Sequence, residues 1–350
     1  MTGSYTHPSR GDVHVNRPLT NISVAFLQSE EAFVAMQVFP NIDVQYKSDM
    51  YFVYDRSDFN RDSMKKRAPG TESAGAAFGI TEQTYTADVF SLHRDIPDQV
   101  VANMDNPLNA QRDSTIFLTQ QGLLRREVDW RDQYFTAGGN PGAIWTFVAD
   151  GVASGSATAP GSYNPADVTD VANKITKWSD YSASTPIEDV RRAKQFMQMR
   201  TGYRPNIMTF GRPAYDTLLD HPDLIGRFDR GQTTGAALAN RQTLAQIFEL
   251  DAVYVMDGII NTAAEGLVEV NSFIGGNHAL LSYRPNTPGI MIPSAGYTFS
   301  WTGYLGAGNR GTRMKSFYMQ HLESERVEIS MAFTHNKVSK DLGFFFDTII

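Results

Sequence analysis

The amino-acid sequence predicts an α+β protein in which a long hairpin, one long helix and terminal strands flank an inserted α/β unit. Two runs of alternating polar and apolar residues within 44–90 indicate the hairpin. One periodic segment, from about 107 to 136, indicates the helix. Helix and strand patterns alternate over 141–310, and strand patterns return over 311–350.

The composition is that of a globular protein and excludes several kinds of site. Of 350 residues, 41% are hydrophobic and 20% are charged, which suffices for a sizeable core. The absence of cysteine excludes disulfides, thiolate metal ligands and cysteine nucleophiles. The formal net charge of -7 argues against nucleic acid as a principal ligand, because phosphate binding needs a basic surface. With no signal peptide or long apolar run, we expect a cytoplasmic origin and no membrane partner.

The first 43 residues are predicted to form an N-terminal arm. Residues 1 to about 22 are polar and rich in Pro, Gly, His and Asn, so they are either disordered or ordered on a neighbouring molecule. A short apolar segment follows and stops at Pro40.

Residues 44–90 are predicted to form the long hairpin, with a basic tip. The strands correspond to VQYKSDMYFVYDR and FGITEQTYTADVFSLHRDI, and a segment rich in Gly and Ala separates them. Arg61, Lys65, Lys66 and Arg67 crowd into this segment, although the chain as a whole is acidic.

Residues 91–140 are predicted to contain a long helix, which we name the spine helix. Asn106 and Pro107 offer an N-cap followed by proline at the first helical position. One apolar face is indicated by Phe117, Leu124, Val128 and Phe135. A helix from 107 to 136 would span roughly 45 Å.

The inserted unit, 141–310, is predicted to alternate helices and strands. A capping box at Thr185 opens a helix that Gly202 closes, and PNIMTF follows as a buried strand. Two short helices break at His221 and Pro222, and RQTLAQIFEL and AVYVM are predicted as a helix and a strand.

The C-terminal segment, 311–350, is expected to pack its strands on the spine helix. Its clearest alternation is Val327, Ile329, Met331 and Phe333.

The motifs that carry chemistry are incomplete. Asp58, Asn60 and Asp62 match the start of an EF-hand loop, but Ser63 and Pro69 stand where the loop needs Gly and Glu. The GAGNRG stretch, 306–311, precedes a strand pattern and not a helix, which favours a turn over a nucleotide loop.

None of the seven histidines lies in a metal-ligand spacing. His221 is predicted to occupy a turn between short helices and not to act as a general base. The sequence therefore predicts a structural protein and not an enzyme, with no catalytic residue, cofactor site or metal site.

The order of these elements resembles the HK97-like major capsid proteins of tailed bacteriophages. The stretch RPNIMTFGRPAYDTLLDHPDLIGRF is similar to a segment that recurs in these shell proteins. The resemblance implies an arm (1–43), a hairpin called the E-loop (44–90), a peripheral P-domain (91–140 and 311–350) and an inserted A-domain (141–310).

The resemblance also implies the partners. Copies of the chain would form hexameric and pentameric capsomers in an icosahedral virion shell, assembled in the bacterial cytoplasm and enclosing DNA without specific binding. A separate scaffolding protein, a portal and a decoration protein are the other expected partners. Arg61, Lys65, Lys66 and Arg67 would then contact acidic groups of neighbouring copies.

Two other functions are kept as alternatives. A bacterial nanocompartment shell of the encapsulin type would have the same fold but would enclose an enzyme cargo. An enzyme would need a site in the α/β unit, with His221 or the GAGNRG stretch in it. Crosslinking of Lys65 or Lys66 to Asn336, as in some relatives of the HK97-like proteins, is also left open.

Overall fold

The computed structural model describes residues 27–54, 56–103, 109–136, 144–154, 172–229, 240–288, 292–305 and 311–350. Within these residues the α-helices are Ala35–Val38, Arg56–Phe59, Asp98–Ala102, Ala110–Tyr134, Pro186–Thr201, Arg212–Leu219, Pro222–Asp229, Arg241–Phe248 and Thr302–Leu305. The strands are β1 (Asn41–Val44), β2 (Ser48–Tyr54), β3 (Ile80–Thr86), β4 (Asp88–Pro97), β5 (Phe147–Val152), β6 (Ala172–Thr176), β7 (Ile207–Gly211), β8 (Ala252–Met256), β9 (Ile259–Asn261), β10 (Asn271–Phe273), β11 (Ala279–Ser282), β12 (Gly296–Trp301), β13 (Thr312–Met319), β14 (Ser324–Lys337) and β15 (Gly343–Asp347). Short 3-10 helices occupy Glu30–Ala32, Gln320–Leu322 and Lys340–Leu342.

A five-stranded sheet packs against the spine helix, Ala110–Tyr134. β4 and β13 pair with the same residues of β14, so they lie on its opposite edges. β12 pairs with the far end of β14, and β1 runs parallel to β12. The buried cluster beneath the helix consists of Ile96, Leu118, Val327, Ile329, Met331 and Phe333. The predicted alternation along β14 is therefore confirmed.

A six-stranded sheet, in the order β6-β5-β15-β11-β7-β8, forms the centre of the inserted unit. Successive side chains of β15 pack into two different hydrophobic cores, because neighbouring residues of a strand point to opposite faces of the sheet. Phe344 and Phe346 pack with the helices of the inserted unit, whereas Phe345 packs with Trp130 and Phe135 at the end of the spine helix. The sheet thus lies between a helical layer and the spine helix.

The predicted hairpin is confirmed, with shorter strands than expected. β2 and β3 form a two-stranded antiparallel sheet in which Ser48 pairs with Thr86 and Tyr54 with Ile80. Only Ala87 separates β3 from β4, so residues 88–90 belong to the five-stranded sheet and not to the hairpin.

The spine helix is confirmed, and so is its predicted apolar face except at Phe117, since Phe135 is buried and Leu124 and Val128 pack against the same core. Asn109 caps it by accepting from the backbone N–H of Arg112, and the predicted cap at Asn106 lies outside the described residues. Phe117 is 44% exposed, whereas Leu118 and Trp130 are fully buried. The prediction followed apolar residues alone, while the buried stripe also includes polar residues of the helix.

The helices and strands predicted between 185 and 256 are confirmed. Gly202, at φ 76°, ends the helix Pro186–Thr201 in the left-handed conformation that glycine favours. The capping box is wrong, because the Thr185 side chain makes no cap hydrogen bond.

Three strands depart from the predicted grouping. β15 does not pack on the spine-helix sheet but pairs with β5 and β11 in the six-stranded sheet. β12, expected within the inserted unit, joins the five-stranded sheet. β1, expected in the arm, joins it as well. Three consecutive buried phenylalanines in β15 require a strand covered on both faces, which a central position provides.

Candidate functional site

The hairpin of β2 and β3 is anchored at its base by aromatic side chains. The ring of Tyr85 stacks on Phe299 of β12 with centroids 4.5 Å apart, and the Tyr51 ring lies 5.9 Å from the same phenylalanine. The Tyr51 hydroxyl lies 2.7 Å from Gln83 Oε1 and 3.3 Å from the backbone carbonyl of Lys337. Burial raises the pKa of Tyr51 to about 12. These contacts fix where the hairpin leaves the sheet.

Beyond its base, the hairpin exposes apolar side chains. An isolated two-stranded sheet is only marginally stable in water, and a large exposed apolar surface commonly marks an interaction site. The rings of Tyr54, Phe59 and Phe78 contact one another near the tip, with centroids 5.6 to 6.1 Å apart. The exposed apolar residues of the hairpin are Met50, Phe52, Phe59, Met64, Phe78 and Ile80.

The tip carries all four basic residues that the sequence singled out. Arg61, Lys65, Lys66 and Arg67 are exposed, and the Arg67 guanidinium donates to the carbonyl of Thr71. Within the described part of the chain, none of the four forms an ion pair with a carboxylate. Their charges are therefore available to another molecule. We name residues 61–67 the basic tip.

The candidate acceptor of a crosslink lies away from the tip. The Asn336 side chain donates to the carbonyl of Thr84, a residue of β3 near the foot of the hairpin. Lys65 and Lys66 lie beyond the other end of β3, so the chain does not bring donor and acceptor together.

A buried carboxylate joins the segment before Pro40 to the spine helix. Glu127 is 1% exposed and accepts from the backbone N–H groups of Val34 and Ala35 at 3.1 and 2.8 Å. Burial raises the pKa of Glu127 to about 7, against the opposing effect of the two N–H donors. A cavity of about 70 Å³, lined in part by Glu30 and Arg126, lies beside it.

A buried histidine of the five-stranded sheet contacts the backbone of the spine helix. His335 of β14 has Nδ1 2.9 Å from Thr298 Oγ1 and Nε2 3.2 Å from the carbonyl of Arg126. Since a carbonyl only accepts, Nε2 carries the proton. Burial, reinforced by the charge of Arg126, lowers the pKa of His335 to about 3, so the ring is neutral.

Sequence patterns did not identify Glu127 or His335 as buried. Polar residues on a helix or strand are ordinarily solvated, so their type gave no reason to place them in a core. The available signal is position. His335 continues the alternation that ends at Phe333, and Glu127 lies three residues before Trp130 on the same helical face.

His221 lies in the predicted turn and has a structural role. Its Nδ1 accepts from the backbone N–H of Asp223, so Nε2 carries the proton and donates to Ser184 Oγ at 2.9 Å. Ser184 in turn donates to the carbonyl of Asp180 at 2.6 Å. A histidine that activates a serine accepts the serine proton, whereas here the histidine donates to the serine. His221 and Ser184 are also both buried.

The incomplete motifs gain no support from the geometry. Asp62 accepts from the backbone N–H of Met64 in a local turn, whereas Asp58 accepts from that of Gly79 across the hairpin loop. Among the described residues there is no group of three potential metal-ligating side chains, and no described helix is long and apolar enough to span a membrane. Most of the GAGNRG stretch lies outside the described residues.

Comparison with known proteins adds sequence and structural relatives. A family model described as phage major capsid protein E matches residues 164–287. The chain is similar to the major capsid protein of Pseudomonas phage JBD67, with 23% identity over 338 residues that cover 96% of this chain and 97% of the relative.

Solved structures extend the similarity to the whole fold. A phage-related protein from Bordetella bronchiseptica RB50 aligns with a TM-score of 0.63 and 18% identity, over 91% of this chain and 92% of that chain. A chain in the capsid structure of Cyanophage P-SCSP1u aligns with a TM-score of 0.60 and 11% identity, over 98% of this chain and 95% of that chain.

The order of elements in the sequence, the folded arrangement and the relatives therefore agree. The anchored hairpin, the spine helix packed on a five-stranded sheet and the inserted α/β unit occur in one chain that aligns over nearly its full length with a chain of a phage capsid structure. The resemblance inferred from the sequence is confirmed, and the chain has the HK97-like fold of tailed-bacteriophage major capsid proteins.

Proposed function

We propose that this chain is a major capsid protein that self-assembles, as hexameric and pentameric capsomers, into the icosahedral shell enclosing the double-stranded DNA of a tailed bacteriophage. The hairpin is the observation that carries this proposal. It is fixed at its base, yet it exposes apolar and basic side chains that the described residues of its own chain do not cover. Other copies of the chain would cover them, as subunits of a closed shell do. A similarity to phage capsid subunits over nearly the whole chain supports this function.

The parts of the chain take corresponding roles in this proposal. Residues 1–43 are the arm, 44–90 the E-loop, 91–140 and 311–350 the P-domain, and 141–310 the A-domain. The observed pairing modifies the assignment in detail, because β12 completes the P-domain sheet and β15 completes the A-domain sheet.

The proposed partners follow from assembly in a host bacterium. We place assembly in the cytoplasm, with a separate scaffolding protein and a portal, and with a decoration protein as a further partner of the shell. The net charge of -7 supports a non-specific relation to the packaged DNA, because a negatively charged shell weakly attracts phosphate.

The encapsulin alternative has less support, because the matching family model and the curated relative are phage capsid proteins. The contents of native particles separate the two functions. Double-stranded DNA of uniform length supports the phage shell, whereas a protein cargo without DNA contradicts it.

Charge reversal at the basic tip is expected to impair assembly. The double substitution Lys65→Glu and Lys66→Glu removes two exposed cations from the tip without touching a buried group. We expect the variant to fold normally by circular dichroism, while the megadalton fraction in sedimentation velocity falls about tenfold, since several such contacts repeat in every capsomer.

The matched control makes the same change in net charge at two positions outside the basic tip. Arg191→Glu with Arg227→Glu reverses two exposed cations on helices of the inserted unit, and this variant is expected to assemble like the unmodified protein. Equal assembly of the control and the tip variant would assign the tip no role in contacts between subunits.

A further inference from the structure

We propose that the basic tip of one copy binds the acidic end of the five-stranded sheet of a second copy. We define this acidic end by Asp98, Tyr318, Leu322 and Glu323. The proposal rests on the proposed function and names the partner surface of the basic tip.

The acidic end is a preorganised surface. The backbone N–H of Asp98 donates to the carbonyl of Glu323 at 3.0 Å, which ties the helix Asp98–Ala102 to the turn between β13 and β14. The Tyr318 hydroxyl donates to the Asp98 carboxylate at 2.5 Å. Asp98 and Glu323 both raise the pKa of Tyr318, which places both negative charges beside its ring.

The negative charge of this end has few cations near it in the sequence. The stretches 96–103 and 316–325 contain Asp98, Glu323 and Glu325 and no lysine or arginine. Glu325 accepts from Ser316 and Gln111, and Arg112 of the spine helix is paired with Asp113. Asp98 and Glu323 therefore remain exposed anions without a described ion-pair partner.

Apolar surface accompanies the charge on both patches. At the acidic end, Val100, Val101 and Leu322 are each about half exposed, at 51%, 51% and 52%. At the basic tip, Met64 is 92% exposed among four cations and one Asp. Both patches thus combine an apolar contact with charge, and the signs are opposite, which favours one orientation of docking.

Within the described residues, no ion pair joins the basic tip to the acidic end of the same copy. Ser324, at one end of β14, is next to the acidic end, whereas Lys337, at the other end, contacts the base of the hairpin. Thirteen residue steps along a strand correspond to roughly 43 Å, so the hairpin leaves the sheet about that far from the acidic end. A contact between two different patches of identical subunits is heterologous, and it generates a ring where the rotation between subunits closes.

A charge-swap experiment tests this pairing. Asp98→Lys with Glu323→Lys reverses the acidic end, and we expect the megadalton fraction in sedimentation velocity to fall about tenfold, as for the Lys65→Glu and Lys66→Glu variant. Combining all four substitutions restores opposite signs on the two patches. The combined variant is expected to recover assembly to within about threefold of the unmodified protein.

Two further variants make the result decisive. Glu265→Lys with Glu269→Lys reverses an equally exposed acidic pair beside apolar residues in the loop between β9 and β10, and it is expected not to rescue the reversed tip. If the lysine variant fails to fold, the milder pair Asp98→Asn and Glu323→Gln replaces it. This pair removes negative charge without adding positive charge, and it is expected to weaken assembly.

Rescue by the four-fold variant alone supports the pairing. The proposal is overturned if the four-fold variant is as defective as either parent, if reversal at Glu265 and Glu269 rescues equally well, or if the acidic-end variants assemble normally. Failure of the unmodified protein to assemble would instead contradict the proposed function itself.

Discussion

Replacing Phe39 with alanine is expected to lower the free energy of unfolding by about 3 to 5 kcal/mol, the range for removing a buried phenylalanine ring. Phe39 is fully buried where the N-terminal segment, the spine helix and the sheets meet. Its ring contacts Trp130, Tyr134 and Trp145 at centroid distances of 5.8, 5.1 and 6.5 Å. It also fills the space beside Gly296, where an added Cβ would lie 2.3 Å from the ring.

Chemical denaturation of unassembled protein measures this loss. Phe117→Ala is the matched control, because Phe117 is 44% exposed on the spine helix and its removal is expected to cost less than about 1 kcal/mol. Equal losses from the two substitutions would contradict the assignment of Phe39 to the joint between the elements.

The second large effect is a pH dependence of stability that Glu127 produces. Its pKa is about 7 in the folded protein and 4.5 as the unperturbed value. The folded state therefore holds the proton more tightly, and the stabilisation is present below pH 4.5 and lost as the pH rises through 7. Relative to a Glu127→Gln variant, which does not titrate, the protein is expected to lose about 2.5 kcal/mol between pH 5 and pH 8.

The difference between the two proteins isolates this group. Asp189, whose pKa burial raises to about 6, titrates in both proteins and cancels in the comparison. Glutamine resembles the protonated carboxyl group in shape, but its amide nitrogen cannot accept from a backbone N–H, so the variant is expected to be less stable by an amount that does not change with pH. Parallel stability curves from pH 5 to pH 8 would show that Glu127 does not titrate in this range.

The local elements could be predicted because their signals are local. The hairpin follows from two alternating runs, and the spine helix follows from one long period. The buried face of that helix was partly mispredicted, because Phe117 faces outward while Arg126 and Glu127 face inward. A period counted over apolar residues alone cannot detect such polar residues, which the core accommodates through backbone N–H donors to Glu127 and through the Met36 sulfur and the Phe333 ring beside Arg126.

Strand partners were less predictable because they depend on distant residues. The phenylalanines of β15 indicate a buried strand, but nothing near them specifies pairing with β5, almost two hundred residues earlier in the chain. The close approach of β15 to the segment before β5 explains the glycine at position 343, where an added Cβ would lie 2.2 Å from the Trp145 ring. This contact exists only once the fold brings the two residues together.

Of the two candidate surfaces, the basic tip could be predicted from the sequence and the acidic end could not. A cluster of four basic residues in an acidic chain is visible in the sequence, and its place between two strands predicts a tip. The acidic end is assembled from Asp98 and Glu323, which are far apart in the chain and meet because β4 pairs with β14. Only the folded chain brings that charge together.

Electron microscopy of the purified protein tests the central claim most directly. The proposed function predicts ring-shaped capsomers or closed icosahedral shells, with the hairpin of each subunit lying over a neighbouring copy in a reconstruction. A population that consists only of single chains at every protein concentration and salt condition, or particles whose hairpins contact no other copy, would contradict it.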